Sequence, residues 1–180
     1  EHARARGLGR VCMSDKSNAM RHGHDLWQRV FKSVAAEYPE IKASHLYVDA
    51  LVMEMVRAPD RFDVIVTNNL FGDIVTDLGA QIQGGIGLAA SGNLNPGAGI
   101  GMFEPVHGSA PDIAGQGLAN PLAAVLSAGM MLSWLGHVEL ERQIEDAVRV
   151  ALNDGLVTRE LGGELSTSQV GDAIVAILSR

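Results

Sequence analysis

Residues 63–77 read Asp-Val-Ile-Val-Thr-Asn-Asn-Leu-Phe-Gly-Asp-Ile-Val-Thr-Asp, DVIVTNNLFGDIVTD. The Val/Ile run at 63–67 is the strongest strand signal in the chain, and residues 70–83 return to helical spacing. Working outward, a short strand is expected at 9–15 and a helix at 24–38, with Trp27, Val30, Phe31, Val34 and Tyr38 on one face and Pro39 as its stop. A strand at 45–49 and a short helix at 50–57 follow, the latter ended by Ala58-Pro59. Strands alternating with helices at these intervals predict an α/β fold whose sheet is at least partly parallel.

The texture then changes. Residues 84–101 hold seven glycines in eighteen positions and read as loop and turn, a lobe boundary or hinge. A strand is expected at 102–106 and a loop at 107–120. Three helices close the chain, at 121–135 with Pro121 in first position, at 138–152, and at 167–179 with Thr167 or Ser168 as N-cap. Two partial lobes are therefore expected, 1–84 and 85–180.

Composition narrows the function classes. Of 180 residues, 47% are hydrophobic and 19% charged, as in an ordinary globular protein. A net charge of −7 disfavours nucleic acid and anionic membranes as partners. An anionic substrate would then need a local cation, from Lys, Arg or a metal. The single Cys12 allows no internal disulfide, which fits a cytoplasmic setting, and its apolar neighbours make it a buried filler. The longest apolar stretch, 122–135, is too short and too interrupted to span a bilayer. The opening EHARARG lacks Met and reads as a helix end closed by Gly7, as expected of a piece of a longer protein.

Three features carry chemistry. Asp73 and Asp77 lie one helical turn apart and share a face, where like charges repel by a few tenths of a kcal/mol. Asp49, at the end of an expected strand, could join them as a hard-oxygen set suited to Mg²⁺ or Mn²⁺. The residue types equally allow a solvated capping pair. Lys16 and Asn18, in SDKSN, follow the first strand; a Lys close to carboxylates and partly desolvated can have its pKa lowered and act as a base, and an ordinary surface turn has the same composition. Gly85-Ile-Gly87-Leu-Ala-Ala90 matches a dinucleotide-binding spacing but lacks the preceding strand and following helix, so that reading is rejected. The stretch EPVHGSAPDIAGQGLANP, 104–121, sets polar groups on a loop ahead of a helix N-terminus, a natural anion or ribose binder. Asp112 there could accept from a ribose diol, and His107 is as easily a structural loop histidine.

SDKSN, YVDA, NLFGDIVTD and EPVHGSAPDIAGQGLANP, in this order, resemble the C-terminal half of the β-decarboxylating dehydrogenases. That family includes the isopropylmalate, isocitrate, homoisocitrate and tartrate/D-malate dehydrogenases. The resemblance covers roughly residues 1–177 and implies a two-lobe isocitrate/isopropylmalate dehydrogenase-like fold, a homodimer, and oxidative decarboxylation of a 2-hydroxy diacid, isopropylmalate first. It implies that Asp49, Asp73 and Asp77 hold Mg²⁺ or Mn²⁺, that Lys16 takes the hydroxyl proton, and that Asn18 lies near substrate and nicotinamide. Glu104, His107, Gly108, Ser109, Ala110, Asp112, Ile113 and Asn120 would wrap the adenosine half of the cofactor. In this family Lys and Tyr at the positions of Asp112 and Ile113 go with NADP, so NAD is implied here. The family's substrate-binding arginines and catalytic tyrosine would precede residue 1, and its dimer lends Lys16- and Asp49-type residues to the other subunit's site.

Overall fold

The computed structural model describes residues 2–180; Glu1, the first residue of the expected helix end, lies outside them. His2–Ala5 form one helical turn, α1, and Gly7 turns the chain with φ of 67°. β1 (Arg10–Asp15) leads into α2 (Arg21–Ala35), then β2 (Lys42–Tyr47), α3 (Val48–Arg57), β3 (Val64–Val66) and α4 (Asn69–Ile82). The three strands form one sheet in the order β2-β1-β3. Both pairings are parallel, Met13 standing opposite His45 on one side and Val66 on the other. Parallel neighbours need crossover connections, which α2 and α3 provide.

Two boundaries differ from the sequence reading in ways that move the site. α2 starts at Arg21, three residues early, and ends at Ala35; turns at Ala36–Tyr38 precede Pro39. β2 ends at Tyr47, and Val48 already belongs to α3. Asp49 is therefore in the first turn of a helix rather than at a strand end. A carboxylate is favoured there by the helix dipole. The core of this unit joins Cys12, Leu51, Met55 and Val75, with Leu46, Val52, Phe62 and Ile65 packed around them. Cys12 is the buried filler expected, and burial pushes its thiol pKa up.

The chain divides into two compact units, one through Gly79 and one from Ala80 to Arg180. In the second, the glycine-rich stretch is not all loop. A 3₁₀ turn at Ile86–Leu88 leads to β4 (Ala90–Asn95), which pairs antiparallel with β5 (Ile100–Pro105). The composition of β4, ASGNLN, is poor for a strand. It pairs because Pro96–Gly99 turn the chain and α5 (Leu122–Trp134) packs across both strands. Gly101 leaves room for the Phe103 ring, which a Cβ there would meet at 2.8 Å.

Helices α5, α6 (Val138–Asn153) and α7 (Thr167–Leu178) complete the second unit. Gly129 on α5 faces Ile144 of α6. Leu122, Val148, Ala151, Val157, Val170 and Ile174 form the core. Pro121 is the N-cap residue of α5, not its first helical residue. The cap of α7 is Ser166, one residue before the expected Thr167: its hydroxyl accepts from Gln169 N–H, and the Gln169 side chain accepts from the Ser166 N–H. Among the described residues no helix is long and apolar enough to cross a membrane.

Candidate active site

The C-terminal end of β1 delivers Asp15 and Lys16 side by side. Asp15 is fully buried (0% exposed). Its Oδ1 pairs with His45 Nε2 on β2 at 2.9 Å and accepts from the Ser17 amide at 3.1 Å and the Ser17 hydroxyl at 3.2 Å. Gln28 of α2 donates to the same hydroxyl at 2.6 Å. Burial pushes the Asp15 carboxyl up, but the bonds from His45 and Ser17 and the charge of His45 outweigh it, and the group lies below the usual Asp value. Asp15 thus enters as a carboxylate that fixes the turn after β1.

Lys16 follows, half-buried, with its ammonium on the Asp49 carboxylate. That bond is the main reason the Asp49 carboxyl lies below the ordinary range. Asn18, expected near the substrate, is exposed beside Ser17, Arg21, His22, Asp25, Gln28 and Tyr47 around an open cavity of about 530 Å³. Behind Lys16 sits His24, 4% exposed, whose Nδ1 accepts from the Lys16 amide at 2.9 Å.

Asp73 and Asp77 share a face of α4, as their spacing requires, and both are exposed. The helix is not buried on that side: Leu70 and Ile74, interleaved with them, are 60% and 56% exposed. Asp73 accepts from Asn69 Nδ2 at 2.9 Å. The ion pairs of this unit lie elsewhere, Arg10 with Asp63, Arg29 with Asp25, and Arg57 and Arg61 with Glu54. Asp49 does not join the two aspartates. Among the described residues no three His, Cys, Asp or Glu side chains gather as a metal site would require. This copy offers a carboxylate pair on α4 and, separately, a Lys16–Asp49 pair. Two exposed carboxylates one turn apart, lacking any nearby soft ligand, suit a hard divalent cation that also takes oxygens from elsewhere.

In the second unit, Glu104 is exposed near the end of β5, with its carbonyl held by the Ser91 hydroxyl at 2.8 Å. His107 is half-buried, and its Nδ1 lies 3.1 Å from the Gly108 carbonyl. Gly108, Ser109 and Ala110 are exposed, and Pro111–Ile113 make a 3₁₀ turn within the expected loop. The Asp112 side chain is open to solvent while its carbonyl accepts from Gln116 at 2.7 Å; Ile113 is half-buried. Asn120 is buried. Its Oδ1 accepts from the Leu122 amide at 3.0 Å, closing the start of α5, and its Nδ2 has no partner among the described residues. A Cβ at Gly87 would run into that side chain at 2.8 Å and into the Glu160 carboxylate. An acidic side chain in the open and an unused buried donor are chemically suited to a ribose hydroxyl and a base.

Asp15, His24, His45 and Asn68 were not singled out in the sequence. The signal available for Asp15 was a charged residue at the end of an otherwise apolar strand. The two histidines gave none, because their partners lie 8 to 44 residues away in sequence.

A family model described as isocitrate/isopropylmalate dehydrogenase matches residues 1–174. A 3-isopropylmalate dehydrogenase of Thermobifida fusca is 51% identical over 173 residues, 96% of this chain and 48% of its own length. One from Zymomonas mobilis is 51% identical over 180 residues, 99% of this chain and 51% of its own length. Among solved structures, an isocitrate dehydrogenase from Methylococcus capsulatus superposes with a TM-score of 0.94 at 41% identity, across 99% of this chain and 53% of that one. A β-decarboxylating dehydrogenase from Thermococcus kodakarensis gives 0.87 at 38% identity, across 98% of this chain and 51% of that one. The chain spans about half the length of the curated relatives it matches.

Proposed function

Because the chain belongs to the isocitrate/isopropylmalate dehydrogenase family, we propose that it supplies the metal-, substrate- and cofactor-binding residues of an NAD- and divalent-metal-dependent oxidative decarboxylase. The substrate class is a 2-hydroxy diacid, and the names of the similar curated proteins favour 3-isopropylmalate, and with it leucine biosynthesis. The alternatives within the class are tartrate/D-malate and homoisocitrate or isocitrate.

The observation that carries the reading is the α4 face, where Asp73 and Asp77 stand exposed one turn apart while Arg10, Arg29, Arg57 and Arg61 pair with other acids. These two carboxylates would hold Mg²⁺ or Mn²⁺. A second copy of the chain would complete the set with its own Asp49 and Lys16, which is why those two travel as a pair here. Exposed apolar side chains on α3 (Met53 71%, Val56 66%) and on α4 support burial of this face in a homodimer. When bound, the cation supplies Lewis-acid polarisation of the substrate hydroxyl and the nicotinamide supplies a hydride acceptor.

The chain's own residues bind, orient and move a proton. Asp49 holds the Lys16 ammonium in place until substrate arrives; once that ammonium has given a proton to solvent, neutral Nζ takes the proton of the substrate's 2-hydroxyl. Asn18 orients the substrate beside the nicotinamide. Glu104, His107, Gly108, Ser109, Ala110 and Ile113 line the adenosine. Asp112 accepts the ribose 2′-hydroxyl and repels a 2′-phosphate, which selects NAD. Asn120 Nδ2 is free to donate to the base.

The test compares kcat/KM of the full-length protein for the four acids with NAD and Mg²⁺; isopropylmalate is expected to lead. No turnover with any of them would overturn the reading. The 180-residue chain by itself is expected to be inactive, so turnover by it would overturn the division of labour proposed here. A second reading rests on the same exposed apolar faces: a non-catalytic assembly piece that pairs with a partner. Mn²⁺ binding by the full-length protein at micromolar concentration separates the two, since an assembly piece has no use for a preserved cation site.

A further inference from the structure

We propose that His24 is a positioning residue that couples the Lys16 backbone to the first turn of α4, the helix that carries Asp73 and Asp77. The inference rests on the reading of Lys16 and α4 given above, and it concerns a side chain to which that reading assigns nothing. His24 reaches three places from one buried ring. Nδ1 accepts from the Lys16 amide at 2.9 Å. Nε2 lies 3.1 Å from Asn68 Nδ2. The ring meets Phe71 edge-on, with centroids 5.6 Å apart at 70°. Asn68 in turn accepts from the Phe71 amide through Oδ1 at 3.0 Å, which satisfies one of the unpaired N–H groups at the start of α4.

The chemistry of a neutral imidazole makes this a directed link. One ring nitrogen accepts and the other donates. The Lys16 N–H is part of the backbone and cannot turn away, so Nδ1 is the acceptor and the proton sits on Nε2. The ring therefore presents Nε2–H to Asn68 Nδ2, a second donor, while Asn68 Oδ1 is held by the Phe71 N–H. Turning the Asn68 amide would hand that single oxygen to the ring, so Nε2–H and the Phe71 N–H compete for it. Rotation of the Lys16 turn moves the ring, and movement of the ring changes the share of that oxygen left to α4. The same ring edge against Phe71 transmits the shift through packing.

Two substitutions separate the arms. An Asn side chain places its amide near the position of Nδ1, and a Gln side chain places its own near Nε2. His24→Asn is expected to keep the Lys16 bond and lose Asn68; His24→Gln is expected to do the reverse. Backbone amide exchange in the full-length protein reads this without turnover. Exchange at Phe71 is expected to slow about fivefold in His24→Asn, where the competing Nε2–H is gone, and exchange at Lys16 to speed up by a similar factor in His24→Gln, each the worth of one modest hydrogen bond. Mn²⁺ affinity, measured by titration, is expected to fall about tenfold in His24→Asn, as for loss of a residue supporting metal ligands. In His24→Gln the fall is expected in kcat with isopropylmalate, with a smaller change in Mn²⁺ affinity.

Equal losses at both amides in both variants would show a merely structural histidine and overturn the proposal, as would exchange identical to the parent. A protein that binds no Mn²⁺ and turns over none of the acids would overturn the functional reading, while the exchange contrast would still decide the role of His24.

Discussion

The two compact units solve the problem of holding polar groups in opposite ways. The first gathers its polar side chains at the C-terminal ends of parallel strands, the usual place for sites in α/β sheets, and fixes them with side chains. Asp15, His45, Ser17, Gln28, His24 and Asn68 are bonded to one another or to backbone. The second unit has an antiparallel hairpin, three helices and a loop whose polar side chains are mostly open to solvent. There the order comes from backbone pinning at Leu122, Gly117 and Ala119. A buried polar network is sensitive to single changes, whereas an exposed loop tolerates them.

The largest effect expected is on turnover. Lys16→Met in the full-length protein should lower kcat about a hundred- to ten-thousand-fold, the usual worth of a positioned acid–base group. An unchanged kcat would remove the first unit from the chemistry. Next come the cores. Leu122→Ala and Leu51→Ala each remove a fully buried side chain, one per unit, and each should cost about 2–5 kcal/mol in urea unfolding. The two tryptophans report on the units separately, Trp27 in the first and Trp134 in the second. If the units unfold independently, each Leu→Ala change will shift only its own Trp signal; coincident shifts would show one cooperative unit.

Asp15→Asn should destabilise by about 1–3 kcal/mol, because a buried acceptor that serves His45 and Ser17 is altered while its neighbours stay buried. Acid should single out the same unit. Asp15, Asp49 and Asp63 all lie below the usual Asp value in the folded chain, held there by His45 and Ser17, by Lys16 and by Arg10. Groups depressed in this way contribute stability that is fully present above the unfolded value of about 3.9 and lost as pH falls through the folded values below it. The Trp27 signal should therefore lose stability below about pH 4 more steeply than the Trp134 signal. The smallest effect belongs to the loop: Asp112→Ala should change stability by less than about 0.5 kcal/mol. The same change should narrow the preference for NAD over NADP, read as the ratio of kcat/KM values.

The contrast also explains what the sequence allowed to be read. The alternation around β1, β3 and α4 was legible because their apolar runs are strong and local. Asp73 and Asp77 were legible as a pair because helical spacing alone puts them on one face. Asp49 was misplaced because β2 passes into α3 without a breaker between Tyr47 and Val48, and Val-rich segments suit strand and helix end alike. β4 was missed because its stability comes from β5 and α5 rather than from its own Ala, Ser, Gly and Asn. His24 and His45 were invisible for a similar reason: what makes them informative is a partner brought in by the fold.

Ser166 and Thr167 do more than begin the last helix. The Thr167 amide donates to the Gly117 carbonyl at 2.8 Å and its hydroxyl donates to the Ala119 carbonyl at 2.5 Å. Those carbonyls belong to the far end of the stretch proposed to clasp adenosine, so the C-terminal helix acts as a latch on that clasp. Trimming α7, or replacing Thr167 with a residue that cannot donate, would let the stretch fray without touching any side chain proposed to face the nucleotide. Loss of cofactor affinity in such a variant would then be an effect of tethering rather than of recognition.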